Sequence, residues 1–347
     1  MWRPRFTPQT REAWSRFRRM RRAWWSLWIL LGAFAVSLCS EVISNERPLV
    51  LGYEGRLHFP VFRFYPATAF GGVHRTEPDY LALRDDPGFK RNGGWMVHPI
   101  VPFGPVRSEL WLPGNPPHPP SARHWLGTDR SARDVFSRLL YGFRTSMVFA
   151  LMLMACGMVL GVTIGAIQGY LGGKVDLAVQ RMIEIWSALP MLYVVILLGS
   201  IYGQNFWMLL GVMALFEWIG LSFYIRADCF RLKQFGYVQA ARAAGAGGFR
   251  ILFRHILPNA LTPMITLAPF MLIGGIGALT ALDFLGFGLP PPTASWGDLL
   301  DQGMKDLTRW WVVLSAMGAL FFTLLLATFI GEGVREAFDP RGSNQLK

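Results

Sequence analysis

Two carboxylates, Glu184 and Glu217, fall well inside long apolar runs of this chain, and Asp283 and Glu332 fall near the ends of two others. A carboxylate in the middle of a bilayer is costly unless it faces a partner or water, so such an acid is a candidate for a substrate path or an ion-coupling group. The other reading is an interhelical bond or a side chain that reaches the interface, and for Asp283 and Glu332 that structural reading is favoured. Ser222, in "GLSF", raises the possibility of an intramembrane protease. A serine nucleophile needs a positioned base, yet His58, His74, His98, His118, His124 and His255 all lie outside the apolar runs. Ser222 is therefore expected to hydrogen-bond its own helix. The histidines form neither H-E-x-x-H nor a close ligand pair, which leaves a metal site without support. "YLGGKVD" fails as a phosphate loop, because G-x-x-x-x-G-K-[ST] would need Gly at Gln168 and Ser or Thr at Val175. No other Walker-type loop is present, so ATP chemistry is expected on another chain.

The elements that must position these residues are spans. The chain has 347 residues, 52% hydrophobic and only 16% charged, against about 25% charged in an ordinary soluble domain. Six runs approach the ~20 apolar residues needed to cross ~30 Å of hydrocarbon. They are about Trp24–Ile43, Ser146–Tyr170, Leu177–Ile201, Phe206–Ile225, Leu261–Leu285 and Val312–Val334. The fold class expected is an all-α polytopic membrane protein with six transmembrane helices.

A net charge of +12 could suggest nucleic acid, but its distribution argues for topology. Arg3, Arg5, Arg11, Arg16, Arg18, Arg19, Arg21 and Arg22 crowd ahead of Trp24, against the single acid Glu12. Basic residues within ~15–20 positions of a span end mark the cytoplasmic side. Trp24–Ile43 exceeds the ~7–15-residue core of a cleaved signal peptide, and no A-x-A-like site follows it, so it reads as a retained span. Cys39, Cys156 and Cys229 imply neither a disulfide framework nor a metal spacing.

With the N-terminus inside, six spans return the C-terminus inside. The stretches 44–144 and 286–311 are then external, and 171–176 and 226–260 cytoplasmic. The orientation requires 226–260 to be basic, and it carries Arg226, Arg231, Lys233, Arg242, Arg250 and Arg254 against Asp228 alone. The first external stretch is rich in Pro, Gly and aromatics and ends in "LGTDRSARDVFSRLLYGFRTS". There Val135, Phe136, Leu139, Leu140 and Phe143 form an apolar stripe, with Arg133, Ser137, Arg138, Tyr141 and Arg144 facing away. Thr128 or Asp129 could cap this helix. It would lie at the outer membrane surface or serve as a plain connector. Gly157, Gly161, Gly165 and Gly169 share one face of the second span and predict close helix packing.

Between the fourth and fifth runs lies "VQAARAAGAGGFRILFRHILPNALTP". Tyr237–Ala244 suits a short helix, the glycines from Gly245 break it, and a second helix would place Phe249, Leu252, Phe253 and Ile256 on one face, ending at Pro258. Helices shorter than ~12–15 residues are marginal in water, so membrane surface and a docking partner are expected to hold them.

The spacing of Ala240, Ala241, Gly245, Leu257 and Pro258 resembles the EAA loop of ATP-binding-cassette importer permeases, with Gln239 at the eponymous Glu and His255 at the usual Ile. "HWLGTDRSARDVFSRLLYGFRTS", with Ala132 at the usual Gly, is similar to the signature of the dipeptide/oligopeptide permeases. "LDFLGFGLPPPTASWGDLL" and "EAFDP" are similar to later segments of the same family. The N-terminal portion with its long insert closely resembles the YejE subgroup, which belongs to a peptide uptake system.

The resemblance implies a type I importer transmembrane domain. Its parts would be a cytoplasmic tail (1–23), a first span (24–43), a large irregular periplasmic insert (44–143), a five-helix core (144–334) and a C-terminal tail (335–347). It implies a homologous second permease as heterodimer partner, a cytoplasmic ATPase with two nucleotide-binding domains that binds ATP and Mg, and a periplasmic peptide-binding protein. No cofactor is implied on this chain itself, and no nucleic acid partner. Gln239–Pro258, with Arg250 and Arg254, would be the coupling loop. Phe284 with the segment to Leu300, and the external helix bearing Arg133 and Arg138, would flank an outer gate. Glu184, Glu217 and Asp283 are further candidates for the path. A secondary transporter coupled through Glu184 and Glu217 is the alternative, but the paired broken helices it predicts are not visible in the sequence.

Overall fold

The computed structural model describes residues 8–339. Arg3, Arg5 and Pro340 of the motifs above lie outside them. Along the chain, α1 (Pro8–Arg19), α2 (Arg21–Leu38) and α3 (Ser40–Ile43) are followed by β1 (Val50–Tyr53), β2 (Arg56–His58), α4 (Tyr80–Asp85), α5 (Pro87–Arg91) and β3 (Trp95–Val97). The long helix α6 (Val135–Leu171) leads to α7 (Gly173–Ser187), α8 (Met191–Tyr202) and α9 (Phe206–Leu232). Then come α10 (Gly236–Ala243), α11 (Gly248–Ile251), a π-helical turn (Leu252–Ile256), α12 (Leu257–Ala260), α13 (Thr262–Phe284), α14 (Trp296–Lys305) and α15 (Trp310–Phe338).

Among the described residues, four helical stretches are long and apolar enough to cross a membrane: α6, α9, most of α13, and Leu307–Phe338 with α15. A fifth is available if α7 and α8 count together, but they bend by 71° at their break. The expected straight run Leu177–Ile201 is thus corrected to a broken one. Its cause is Pro190, which has no N–H to donate and disfavours helix in the residue before it. α2 falls short of the sixth, since it has 18 residues and opens on Arg21 and Arg22.

The chain divides into two compact units. The first takes residues 8–31, 146–290 and 321–339 of those described. In it α6 packs on α9 through the glycine face. A side-chain carbon at Gly165 would sit 2.5 Å from the Ser222 carbonyl oxygen, and one at Gly169 would sit 2.7 Å from Cys229 Cβ. Only glycine lets the two backbones approach so closely. Ser222 Oγ donates to its own helix at the Ile219 carbonyl (2.7 Å). Phe149 and Leu153 of α6, Val195 of α8, Leu209 and Met213 of α9, and Leu279 and Leu282 of α13 form the upper part of this core.

The second unit takes residues 32–145 and 291–320. It departs from the all-α expectation: β1 is the centre of a three-stranded antiparallel sheet in the order β2-β1-β3. Glu54 (φ 49°) and Gly55 (φ 74°) join β1 to β2 in a two-residue turn with both residues left-handed, the twist that suits a hairpin. Leu51, Tyr53, Phe70, Tyr80 and Phe89 are buried beneath it. Arg107 ties the unit together by gripping both carboxylate oxygens of Asp79 (2.9 Å each) and Glu109 Oε1 (2.7 Å). Burial pushes the Asp79 carboxyl up, but hydrogen bonds from Arg107 and from the N–H groups of Ala82 and Leu81 outweigh it and hold its pKa below the usual range.

Candidate functional site

The loop between α9 and α13 is anchored by the chain itself. α9 continues past the expected end of its span at Ile225, and this extension carries Cys229 and Leu232 to join Ile225 in a buried cluster with Val238, Ile251, Leu252, Ile256 and Ala260. Ala166 and the partly buried Tyr170 of α6 complete it. The short helices rest on this apolar seat, which the chain itself supplies. Arg226 adds a two-pronged contact to Asp176 of α7 (2.5 and 2.7 Å), and Lys233 Nζ donates to the carbonyl of Gly169 (3.1 Å).

α10 ends in a Schellman motif. Gly245 is left-handed (φ 79°), its N–H donates to Arg242 O, and the Ala246 N–H donates to Ala241 O, both at 3.0 Å. That arrangement satisfies two carbonyls that the helix end would otherwise strand. Ala246 follows as a partly buried contact on the same cluster.

The second half differs from the helix-period reading. Leu252 and Ile256 are buried together with Ile251, whereas Phe249 is 76% exposed and Phe253 50% exposed. The π turn is the reason, because its wider ring shifts the phase of everything before it. Nor does Pro258 end the helix. The Leu257 N–H reaches back to Leu252 O, five residues away, and Pro258 sits in the first turn of α12, where its missing N–H is harmless. Phe249 and Phe253 stand with ring centroids 4.3 Å apart, and Arg250 and Arg254 are exposed beside them. Gln239 and Ala240 are exposed on α10, and the Gln239 amide donates to Lys233 O (2.9 Å). Ala241 and Leu257 are half-buried. The loop is thus an apolar-backed element that presents paired aromatics outward, beside guanidinium groups with no ion pair to a described residue. Aromatic and arginine side chains in such a setting are the usual anchors of a protein interface.

The path candidates separate by environment. Glu184 is exposed and pairs with Arg181 one turn away (2.6 Å). Glu217 lies half-buried in α9, its stem packed where Gly157 leaves room (2.8 Å from a carbon placed there), with no hydrogen bond or ion pair to another described residue. Asp283 is buried and accepts the Leu289 N–H (2.7 Å), so its carboxylate is committed to the turn after α13. Phe284 beside it is 38% exposed.

Arg133 and Arg138 are not on a solvated face. Arg138 is fully buried, bonded to Asp298 (2.9 Å) and to the carbonyls of Pro105 (3.1 Å) and Thr293 (3.2 Å). Arg133 holds the buried Asp129 (2.7 Å). The helix they begin is not a separate amphipathic segment but the first turns of α6, and Asp134 caps it by accepting the Ser137 N–H (2.8 Å). Residues 33, 155 and 160 positions away supply the hydrogen-bond partners of Arg138, which local periodicity could not reveal.

Residues 161–343 match a family model described as "Binding-protein-dependent transport system inner membrane component". The chain belongs to this family. The binding-protein-dependent component is a permease of an ABC transporter, with ATP hydrolysis on a separate subunit, so this chain is not itself an enzyme. The inner membrane ABC transporter permease protein YejE of Escherichia coli is 45% identical over 97% of this chain and 98% of its own. The peptidoglycan transport system permease protein YejE of Agrobacterium fabrum is 40% identical over 98% and 95%. The dipeptide transport system permease protein DppC of Bacillus subtilis is 34% identical over 64% and 74%. The matched region holds the glycine face from Gly161, the bent pair and the whole loop between α9 and α13.

Proposed function

We propose that this chain is the permease subunit of an ATP-driven importer that carries short peptides across the bacterial inner membrane into the cytoplasm. The observation that carries the reading is the outward face of the loop, with Phe249, Phe253, Arg250 and Arg254 on an apolar seat, which suits a groove in a cytoplasmic ATPase. The peptide cargo rests on the relatives named above, described as permeases for dipeptides and for peptidoglycan. In this reading α2 and α3 make the first of six crossings, 44–143 is a periplasmic insert, and both termini are cytoplasmic. A homologous permease pairs with this chain, a periplasmic binding protein delivers the peptide, and ATP and Mg act on the ATPase.

The test is co-purification. The full chain is drawn from detergent with its ATPase, and Phe249→Ala/Phe253→Ala is compared with it. Interface aromatics contribute about 2 kcal/mol each when truncated, roughly thirtyfold in affinity. The double variant should therefore lose the ATPase while keeping its fold, since both rings are exposed. Undiminished association would overturn the docking assignment.

A further observation favours Glu217 as a wall of the path: among the described residues it has no hydrogen-bond or ion-pair partner. Glu217→Gln should lower peptide uptake severalfold and leave ATPase association intact. Normal uptake would return Glu217 to a packing role.

A further inference from the structure

A cavity of about 620 Å³ opens in the first unit between α1, α2, α13 and α15. Trp14 and Phe17 come from α1, Leu27 from α2, Ile265 from α13, and Ile330 and Val334 from α15; among the described residues Arg11 is the one charged group at its wall. Pockets of ~300–1,000 Å³ hold small molecules, and those for soluble ligands carry several convergent polar groups for orientation. This one offers a single charged group and otherwise hydrocarbon. Its complement is a molecule with a long apolar part and one anionic end.

The charge around the cavity points the same way. Arg11 and Arg18 lie two turns apart on one flank of α1, both exposed and without an ion pair to a described residue. Arg16, by contrast, is occupied by Glu12 (3.6 Å) and the carbonyl of Asp339 (3.3 Å). The Arg18 guanidinium stands 5.7 Å from the Trp24 ring, and Trp14, Trp24 and Trp28 form an edge-to-face ladder with centroids 5.7 and 5.6 Å apart. Tryptophans beside arginines mark the headgroup level of a bilayer. α1 has the form of an interfacial helix, with Ala13 and Phe17 buried and arginines on the other side. At its close-packed end, Phe17 and Ala23 fill the space left by Gly333, and the cavity opens beyond them.

We infer that this is a binding site for one anionic phospholipid, with an acyl chain in the cavity and its phosphate on Arg11 and Arg18. The inference rests on the proposed orientation, which sets α1 at the cytoplasmic leaflet, where anionic lipids give a negative surface.

The test is native mass spectrometry of the full chain, stripped with detergent and titrated with phosphatidylglycerol or phosphatidylcholine bearing the same acyl chains. One phosphatidylglycerol per chain should be retained in preference to phosphatidylcholine, by about fivefold for each arginine. Arg11→Gln/Arg18→Gln should erase the preference, and Val334→Trp, which fills the cavity, should erase retention of both lipids. The arginine variant changes only exposed side chains, so it decides the matter even where Val334→Trp does not fold. Equal retention of the two lipids by the unaltered chain would overturn the site. So would displacement by excess inorganic phosphate, or a stable dimer that excludes lipid. ATPase association measured on the same preparations reports on the transport reading separately, so lipid indifference with the ATPase still bound would remove this site alone.

Discussion

Changing Gly245 to valine should abolish peptide uptake and reduce ATPase association at least tenfold, with the protein still reaching the membrane. The position is left-handed at φ 79°, and a side chain there would meet no atom within 4 Å. The effect is therefore conformational, not a clash. Left-handed backbone costs an ordinary L-residue about 1–2 kcal/mol and is a severe outlier for a β-branched one. Relief of that strain would open the hydrogen bonds from Gly245 to Arg242 and from Ala246 to Ala241. The turn between α10 and α11 would then lose its fixed angle, and Phe249 and Phe253 their aim. Gly245→Asn is the control, because asparagine visits the left-handed region routinely. It should keep most of the activity. Uptake of a labelled peptide and co-purified ATPase are the two readouts, and a valine variant that matches the unaltered protein in both would end the coupling-loop reading.

The second large effect concerns stability. Arg138→Met should cost about 3 kcal/mol, because methionine fills the space but removes the cation between Asp129 and Asp298 and leaves Arg133 alone to balance both carboxylates. Asp129 is fully buried and lies 3.4 Å from Arg138 Nε, and Asp298 accepts from its Nη2 at 2.9 Å. The carbonyls of Pro105 and Thr293 lose their donors as well. Arg138→Lys should fall between, since an ammonium cannot reproduce a planar fork that serves three partners. Limited proteolysis of the purified variants would read the loss as faster cleavage within 32–145. Resistance equal to that of the unaltered protein would mean that the cluster contributes little.

What was legible in the sequence followed from local physics. Apolar length marked α6, α9, α13 and α15, the four-residue glycine spacing marked the α6–α9 contact, and the small-residue run with its glycine gave α10 and its stop. Three things were hidden for identifiable reasons. The π turn at Leu252–Ile256 has no signature in a 3.6-residue pattern, which instead puts Phe249 and Phe253 on one face with the buried Leu252 and Ile256. Arg138 looked solvated because its partners come from Pro105, Thr293 and Asp298, distant in the chain. The sheet in the insert rests on strands of three and four residues, too short to announce themselves, although Glu54-Gly55 is a recognisable hairpin turn. Ala132, standing where related signatures have glycine, proves to be left-handed (φ 57°) and fully buried, which explains why glycine is usual there.

The π turn also sets a rule about length. Surface loops ordinarily absorb single insertions and deletions without consequence. Here the wide ring beside Pro258 takes up one extra residue in an otherwise α-helical path. Deleting that residue would let the regular spiral close with Phe249 and Phe253 facing as before, whereas closing it at full length would turn Phe249 through Arg254 by about 100° about its axis. The paired rings would then point into the seat and Ile251 away from it. The wide ring is thus as much a part of the outward face as the side chains that compose it.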